Sequence, residues 1–246
     1  MIKFFTSTFS TINLYKKNCI KSEVVTQLIY GESFSILKKS NQWFKIKIKE
    51  DGYKGFVQKK NYKPYIEPSH KVKILKTTIY KSHNTRHKVN ELTFGSKIRV
   101  IEKRLNFFKF EKGWIKHDSV EPISFKEKNP FSKISIFKDV KYKWGGKSFK
   151  GIDCSALIQI CLNFNKRYCP RDAKDQVKYF KNDIKLNKVK KNDIIFWKGH
   201  VAVAINNKKL IHAYGPMKKT VVMDIGQTIV RIKKNANLKV IGVKRI

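Results

Sequence analysis

The feature of this sequence that most constrains its fold is an internal repeat within the first half of the chain. Three pairs of short motifs recur at offsets of 64 or 65 residues, namely Leu14-Tyr15 with Ile79-Tyr80, Tyr30-Gly31-Glu32 with Phe94-Gly95-Ser96, and Trp43-Phe44 with Phe107-Phe108. A fourth pair, residues 55–57 and 113–115, is offset by 58, which predicts a shorter distal hairpin in the second copy. Two tandem all-β barrels of about 55–65 residues explain this repeat better than one large sheet. We therefore place small barrel domains at residues 1–66 and 67–123.

The segments between the repeated motifs have the composition of short strands. β-Branched and aromatic residues dominate four stretches of the first copy, residues 24–30, 33–37, 43–48 and 54–58. Gly31, Asn41 and the pair Asp51-Gly52 separate them, and Asp-Gly between apolar runs is a strong hairpin signal. The first half is therefore predicted to be all-β.

After residue 123 the pattern changes, and we predict a third domain of α+β class over residues 124–246. Residues 154–164, CSALIQICLNF, carry apolar side chains at helical spacing and predict a helix with one apolar stripe. Asp153 and Ser155 supply capping groups at its start. Three strands follow, at residues 194–197, 200–205 and 210–214, and a turn from Asn206 to Lys209 joins the last two.

Cys154 is the candidate nucleophile. It stands at the start of the predicted helix, after the glycine-rich stretch YKWGG at residues 142–146. Backbone N–H groups at a helix N-terminus favour negative charge, so we expect the pKa of this thiol to be lowered and an oxyanion to be stabilised nearby. The alternative for a single cysteine is a buried structural thiol, the role we assign to Cys161 on the core side of the same helix.

His200 and His212 are the candidate partners of the thiol. His200 opens a predicted strand, where a neutral imidazole could accept the thiol proton and later protonate the leaving amine. His212 lies on the paired strand and could orient His200 as the third member of a triad. Because side chains alternate along strands, a two-residue turn at Asn207-Lys208 would put the two rings on opposite faces of the sheet. We therefore predict an odd-length loop or a bulge in this hairpin.

The remaining histidines and the cysteines form no metal-binding motif. His83 and His87 have the spacing of a helical metal pair, but they lie in a polar loop without a third ligand. The four cysteines include no C-x-x-C pair. We expect neither a metal ion nor an organic cofactor.

The N-terminal residues, MIKFFTSTFSTINLYKK, lack the pattern of a signal peptide. Thr and Ser interrupt the apolar stretch, and no small-residue cleavage site follows it. No run approaches the ~18 apolar residues of a membrane span. We therefore expect a cytoplasmic protein without a membrane partner, whose cysteines are free thiols.

The net charge of +37 is distributed as +9, +7 and +21 over the three predicted domains. Such a field would attract nucleic acid, anionic lipid or an anionic small substrate. No RNA-binding aromatic signature, helix-turn-helix pattern or zinc-finger spacing accompanies it. The abundance of Lys, Ile and Asn throughout the chain indicates a compositional bias, so we expect no nucleic-acid partner. The sequence leaves the oligomeric state open.

Three segments resemble those of the NlpC/p60 family of papain-like cysteine peptidases: YKWGGKSFKGIDCSAL at residues 142–157, GHVAVAI at 199–205 and LIHA at 210–213. The order of Cys, His and a polar third residue is also that of the family. The first half resembles the bacterial SH3-like modules that often precede this domain. The resemblance implies two small all-β SH3-like barrels followed by an α+β papain-like catalytic domain.

The same resemblance implies roles for individual residues at the catalytic centre. Cys154 is the nucleophile, His200 is its base and His212 orients His200. Tyr142, the tyrosine of the Y-x-W-G-G motif, lies near the oxyanion in this family, although a tyrosine there could also serve only to pack under the loop.

Substrate-binding residues are implied as well. Asp153 and Ser155 flank the nucleophile as in members that hold the free α-amine of the substrate, and a carboxylate suits an ammonium group. Asp172 matches a family aspartate that helps to hold the substrate. Ala173 stands where several members have Ser, which removes one substrate hydrogen bond.

Members with this domain order resemble γ-D-glutamyl-L-diamino-acid endopeptidases, which cut L-Ala-γ-D-Glu from L-diamino acids in short muropeptides. In such members the first barrel can close one end of the cleft, and Glu32 and Tyr53 are the candidates for that role here. A muropeptide of this type is therefore the predicted substrate. The missing signal peptide favours recycling of imported wall peptides over remodelling of the intact wall.

Two other functions remain open from the sequence. One is an exported wall-remodelling hydrolase or lysin. The other is a basic, non-catalytic binding module that uses its SH3-like domains on a polyanion or peptide, although the presence of Cys154, His200 and His212 argues against an inactive enzyme.

Overall fold

A computed structural model describes residues 3–84 and 87–246 of the chain. Contacts between residues divide it into two units. Unit 1 comprises the residues up to Glu127 together with Lys147–Phe149, and unit 2 comprises Lys128–Gly146 and Lys150–Ile246. Both predicted barrel domains fall in unit 1, and its first break lies close to the predicted boundary at residue 123.

The first half of unit 1 is built from strands β1 Phe4–Thr6, β2 Thr11–Tyr15, β3 Val24–Ile29, β4 Ser33–Lys39, β5 Trp43–Ile48, β6 Lys54–Gln58 and β7 Lys63–Pro64. They form one antiparallel sheet in the order β3-β2-β6-β5-β4-β1-β7. Alternating side chains meet in a core that includes the fully buried Leu14, Phe34 and Ile46. The four strands predicted in this copy are confirmed to within two residues at each end.

The second half of unit 1 is built from strands β8 His70–Val72, β9 Lys76–Tyr80, β10 Lys88–Thr93, β11 Lys97–Ile98, β12 Glu102–Arg104, β13 Phe107–Phe110, β14 Gly113–Lys116 and β15 Val120–Pro122. Its strand orders, β10-β9-β14-β13-β12 and β11-β8-β15, match the order of the first half when β11 and β12 are taken as two pieces of one strand equivalent to β4. A separate core forms around Val72, Leu92 and Ile115. The repeated sequence motifs therefore occupy equivalent places in two copies of one strand order.

The two halves of unit 1 meet where their backbones approach closely. Gly31 has a φ of +81°, and a Cβ at this position would lie 2.1 Å from the carbonyl oxygen of Lys97, so this turn requires glycine. Tyr30 joins the core of the second half and donates its hydroxyl to Glu111 at 2.7 Å. Lys97 Nζ lies 2.7 Å from a carboxylate oxygen of Glu50. Apolar and charged contacts therefore join both copies into one unit.

A buried ion pair holds the short strand β16, Lys147–Ser148, in unit 1. The Lys147 ammonium contacts the Glu32 carboxylate, and both side chains are almost fully buried. The backbone N–H of Lys147 also donates to Gln27 Oε1 at 3.0 Å. The Glu32 carboxylate is thus paired with a lysine of the same chain. Tyr53 packs against the core of the first half of unit 1. Their proposed place at one end of a cleft stays a prediction.

Unit 2 contains strands β17 Gly151–Ile152, β18 Asn182–Asp183, β19 Ile194–Trp197, β20 His200–Ala204, β21 Lys209–Tyr214, β22 Lys219–Asp224 and β23 Val240–Arg245, and helices α1 Cys154–Phe164, α2 Ala173–Tyr179 and α3 Ile225–Ala236. Six strands form a sheet in the order β18-β23-β19-β20-β21-β22. Short 3-10 helices lie at His117–Ser119 in unit 1 and at Ile134–Phe137, Leu186–Lys188 and Gly215–Met217 in unit 2. The mixed helix and strand content predicted for this region is confirmed.

Helix α1 has the ends predicted from the sequence, but it is more deeply placed than one apolar stripe implies. It packs against β20 and β21, and Asn163 alone among its residues is not buried. The longest helix among the described residues, α3, has twelve residues, so no helix in that part of the chain is long and apolar enough to cross a bilayer.

Candidate active site

Cys154 is the first residue of α1, and its neighbour Asp153 caps the helix. Asp153 Oδ1 accepts a hydrogen bond from the backbone N–H of Ala156 at 2.8 Å, which is the usual N-cap contact. Backbone hydrogen bonds from Ser155 and Val201 reach the Cys154 sulfur. Because Val201 is the second residue of β20, the thiol lies beside the start of that strand.

Asp153 also forms a buried ion pair with Arg171. Arg171 donates from Nη1 to Oδ1 at 3.0 Å and from Nη2 to Oδ2 at 2.5 Å, and the two residues are 3% and 5% exposed. The N–H of Gly145 donates to Oδ2 at 2.9 Å, and Arg171 Nη1 also donates to Oγ of Ser155 at 2.9 Å. One carboxylate therefore ties together the helix start, the glycine-rich loop and the segment before α2.

The three predicted substrate-binding residues have different surroundings. Asp153 and Ser155 are buried in the network of Arg171, so an ammonium group at Asp153 would share the carboxylate with a guanidinium. Asp172 is half-buried at the N-cap position of α2, where its side chain makes no capping hydrogen bond. The roles of these residues in substrate binding stay predictions.

Tyr142 lies close to the sulfur and to Asp153. Its backbone N–H donates to the carbonyl oxygen of Lys218 at 2.8 Å, and it forms a parallel bridge with Ile152. Burial raises the pKa of Tyr142, and the neighbouring Cys154 and Asp153, which would repel a phenolate, raise it further. Among the described residues, none accepts or donates a hydrogen bond at its phenol oxygen. Tyr142 is therefore a protonated donor near the candidate nucleophile.

The hairpin of β20 and β21 brings the two histidines together. Val203 pairs with Ile211, and the Ile205 N–H donates to the carbonyl oxygen of Lys209, so three residues, 206–208, lie beyond the last pair of the hairpin. The odd loop length predicted from the sequence is confirmed, and it puts His200 and His212 on the same face. His200 Nε2 lies 2.8 Å from His212 Nδ1.

Burial keeps both imidazoles neutral at physiological pH. The ring of His212, which is 0% exposed, stacks on Tyr214 at 4.7 Å, and the ring of His200 lies 5.7 Å from that of Trp197. Burial lowers the pKa of His200 to about 4, and burial together with the charge of His200 lowers the pKa of His212 to about 3. His200 therefore has a free lone pair with which to accept a proton.

The expectation that the helix start lowers the thiol pKa is wrong for the resting site. Burial and the negative charge of Asp153 raise the pKa of Cys154 to about 12, against the opposing effects of the Val201 and Ser155 backbone and of Arg171. The cost of desolvating a thiolate is the larger effect here. The resting site therefore holds a neutral thiol and a neutral imidazole.

The sequence motifs assign no role to two side chains of the site. Arg171 directly precedes the predicted Asp172, and only the need of the buried Asp153 for a counter-charge could have indicated it. Met223 on β22 places its sulfur 3.4 Å from His212 Nε2, and an apolar residue in a strand carries no catalytic signature.

The other cysteines and histidines lie apart from this chemistry. Cys161 is buried on α1 as predicted, and burial raises its pKa. The four cysteines are free thiols. The ring of His83 packs against Trp114 at 5.0 Å. Within residues 3–84 and 87–246, no group of three or more His, Cys, Asp or Glu side chains is arranged to hold a metal ion.

Comparison with known families agrees with this geometry. The model described as the NlpC/P60 family matches residues 139–232, which include Cys154, His200 and His212. This region is an NlpC/P60 domain. The model described as the bacterial dipeptidyl-peptidase Sh3 domain matches residues 14–61. The predicted resemblance to this family, the predicted cysteine-peptidase class and the predicted N-terminal SH3-like domain are thereby confirmed.

Similar proteins extend over most of the chain. This chain is 26% identical over 237 residues to a gamma-D-glutamyl-L-lysine dipeptidyl-peptidase of Bacillus subtilis (strain 168), and the match covers 86% of this chain and 79% of that protein. It is 22% identical over 232 residues to dipeptidyl-peptidase 6 of Lysinibacillus sphaericus, covering 82% and 84%. The crystal structure of an NlpC/P60 family protein from Bacillus cereus ATCC 10987 has the same fold, with a TM-score of 0.82, 16% identity, and coverage of 98% of this chain and 99% of that one.

Replacing Arg171 by Met should destabilise the NlpC/P60 domain by about 3–5 kcal/mol, because breaking a buried pair leaves an uncompensated carboxylate. Urea denaturation followed by tryptophan fluorescence measures the free energy of unfolding. The exposed Arg167→Met is the matched control and should change it by less than about 0.5 kcal/mol. Equal effects of the two substitutions would contradict a structural role for the Asp153–Arg171 pair.

The free energy of unfolding of the NlpC/P60 domain should fall as the pH drops below about 6.5. The pKa of His212 is about 3 in the folded state, so the unfolded chain binds more protons between these two values and stability is lost as pH falls. We expect a loss of about 2 kcal/mol from this group between pH 7 and pH 5. Urea denaturation at several pH values should show a shallower dependence in His212→Asn than in the exposed His117→Asn, and equal slopes would refute the prediction.

Proposed function

We propose that this protein hydrolyses the γ-D-glutamyl-L-diamino acid bond of cell-wall peptides that carry a free N-terminal L-Ala. The observation that carries the proposal is the placement of Cys154 at the start of α1, beside the strand that brings His200 into its 2.8 Å hydrogen bond with His212. The name of the relative from Bacillus subtilis supplies the substrate class, and the name of the relative from Lysinibacillus sphaericus supports removal of a dipeptide.

The arrangement supports acyl transfer in two stages. As the Cys154 sulfur attacks the amide carbonyl carbon, its proton moves to His200 and the S–C bond forms. His200 then protonates the leaving amine while the C–N bond breaks, which leaves a thioester on Cys154. Water gives a proton to His200 and attacks the thioester, and the departing sulfur recovers that proton.

The oxyanion formed in each stage needs donors beside the sulfur. The backbone N–H of Cys154 is at the first position of α1, where no intrahelical acceptor exists for it. The protonated hydroxyl of Tyr142 is the second candidate donor. Donors fixed in a buried site stabilise developing charge without reorganising.

The recognition of a free amine is part of the same proposal. Asp172 is the more exposed of the two candidate carboxylates, whereas Asp153 is buried against Arg171. We assign the direct contact with the substrate ammonium to Asp172, and we assign Asp153 to the same end of the site together with Ser155. The negative charge of Asp172 would attract the ammonium group.

We propose that both halves of unit 1 are SH3-like barrels. The Sh3 model matches residues 14–61 in the first half. The second half follows the same strand order and has a core of its own. A second barrel at residues 67–123 is the simplest account of that repeat.

Incubation with L-Ala-γ-D-Glu-L-Lys or its diaminopimelate analogue, followed by mass spectrometry, tests the activity. We expect L-Ala-D-Glu and the free diamino acid as products. Cys154→Ala should lower kcat at least about a thousandfold. Cys19→Ser, which changes the exposed thiol, is the matched control and should leave kcat unchanged. Failure of the parent protein to cleave either peptide would contradict the proposal.

The same assay with the N-acetylated peptide tests recognition of the amine. Acetylation removes the positive charge that a carboxylate would bind, so kcat/KM should fall, and Asp172→Asn should lower kcat/KM for the free peptide more than for the acetylated one. Equal turnover of both peptides by the parent protein would remove the free amine from the proposal.

We further propose that the substrate is a soluble muropeptide taken up for recycling and that the protein acts in the cytoplasm. The four free thiols suit a reducing compartment. Cell fractionation with detection of the native protein should place it in the cytoplasmic fraction. Recovery from the periplasm or medium, with release of peptides from intact sacculi, would favour an exported wall hydrolase instead.

A further inference from the structure

Met223 is the partner of the outer ring nitrogen of His212. His212 uses Nδ1 for the 2.8 Å contact with His200, and its Nε2 lies 3.4 Å from Sδ of Met223. In the pairing of β21 with β22, His212 lies opposite Val221. Met223, two residues further along β22, faces the same side of the sheet. The three side chains therefore form a line across neighbouring strands.

The chemistry of a thioether decides where the proton of His212 lies. A methionine sulfur can accept a weak hydrogen bond but has no proton to donate. Because His212 is fully buried, no solvent competes at this nitrogen. A hydrogen bond between Nε2 and Sδ therefore requires the proton on Nε2, and the neutral ring then has its lone pair on Nδ1.

The tautomer of His212 determines that of His200, because the two rings share a hydrogen bond. With a lone pair on His212 Nδ1, the proton of this hydrogen bond must belong to His200 Nε2. A neutral His200 protonated on Nε2 has its lone pair on Nδ1. That nitrogen is then free to act as a base.

We propose that Met223 is a positioning residue that fixes the tautomers of His212 and His200, so that Nδ1 of His200 is the atom that accepts the thiol proton. The proposal rests on the peptidase function proposed above. In the opposite tautomer His212 would donate from Nδ1, His200 would accept at Nε2 and carry its proton on Nδ1, and that nitrogen could accept nothing from Cys154.

Only one proton moves in this step, and Met223 does not take it up. When the S–H bond of Cys154 breaks, an N–H bond forms at Nδ1 of His200, which becomes an imidazolium that still donates from Nε2 to His212. The thioether does not take up a proton under these conditions, so the positive charge stays on the two imidazoles beside the sulfur. When the leaving amine takes the proton from Nδ1, both rings return to their starting tautomers.

A neutral acceptor at this position also agrees with the titration of the pair. A carboxylate in place of Met223 would stabilise the imidazolium form and raise its pKa. Burial lowers the pKa of both histidines, and the thioether adds no charge that would reverse this. His200 therefore stays available as a base down to mildly acidic pH.

The ¹⁵N NMR shifts of the histidine rings in the unaltered full-length protein test the tautomers directly. We expect His212 and His200 both to be protonated on Nε2 and unprotonated on Nδ1 at pH 7. Protonation of His212 on Nδ1 would overturn the proposal whatever the variants show. This measurement does not depend on peptide cleavage, so it is separable from the test of the peptidase function.

The matched variants compare an acceptor with an apolar group of similar size. Met223→Leu should lower kcat about three- to tenfold, the worth of one modest hydrogen bond, with KM within about twofold of the parent value. The His212 shifts should move towards a mixture of tautomers. Met223→Gln, whose side-chain oxygen can accept, should recover most of the loss.

Met217→Leu, the same change at an exposed position, is the control and should leave kcat and the histidine shifts unchanged. A Met223→Leu variant with parental kcat and parental shifts would refute the proposal. If that variant fails to fold, the shifts of the parent and of Met223→Gln still decide it. A parent protein that cleaves no peptide, with the expected tautomers, would refute the peptidase function instead.

Discussion

The candidate active site is organised around one buried carboxylate, that of Asp153. It caps α1, accepts the N–H of Gly145 and pairs through both oxygens with Arg171. Cys154 lies between this residue and Ser155, which the same guanidinium also contacts. A buried ion pair adds little net stability compared with an apolar group of the same size, but it is costly to break. Its effect here is to hold the start of α1, which carries the sulfur, against the glycine-rich loop and the segment before α2.

Burial then sets the protonation states of the reacting groups. Moving a group out of water disfavours its charged form, so the pKa of the Cys154 thiol rises while that of the His200 imidazole falls. Both shifts favour the neutral pair over the thiolate–imidazolium pair. The sulfur is therefore a protonated thiol at rest. Its proton must be transferred as it attacks a bound carbonyl. The donors beside the sulfur are what make the ionic form accessible at that moment.

The sequence motifs predicted those parts of the structure that depend on local pattern. The apolar spacing in residues 154–164 located α1, and the position of Asp153 before it located the cap. The repeated motifs of the first half predicted two copies of one strand order, which unit 1 contains. Arg171 and Met223 could not be predicted in the same way, because each acts through a partner far away in sequence.

The wrong prediction for the pKa of the Cys154 thiol has a similar origin. A helix N-terminus can be recognised from a few neighbouring residues, but the desolvation of Cys154 depends on how deeply α1 is packed against β20 and β21. The sequence pattern suggested one buried face, whereas the helix is buried almost all round. The favourable dipole is therefore present, and the cost of burying an anion exceeds it.

The lengths of two loops place His200, His212 and Met223, on the neighbouring strands β20, β21 and β22, on one face of the sheet. Three residues, 206–208, lie beyond the last pair of the β20–β21 hairpin, so the even-numbered His200 and His212 face the same side. Tyr214 pairs with Lys219 across the next connection, and this register sets even-numbered residues of β21 opposite odd-numbered residues of β22. Met223 therefore joins the face that carries the histidines. A slip of one residue in either hairpin would turn part of this line to the other face of the sheet, whatever the loop residues were. The chemistry of the site thus constrains the number of residues in these loops more tightly than their identity.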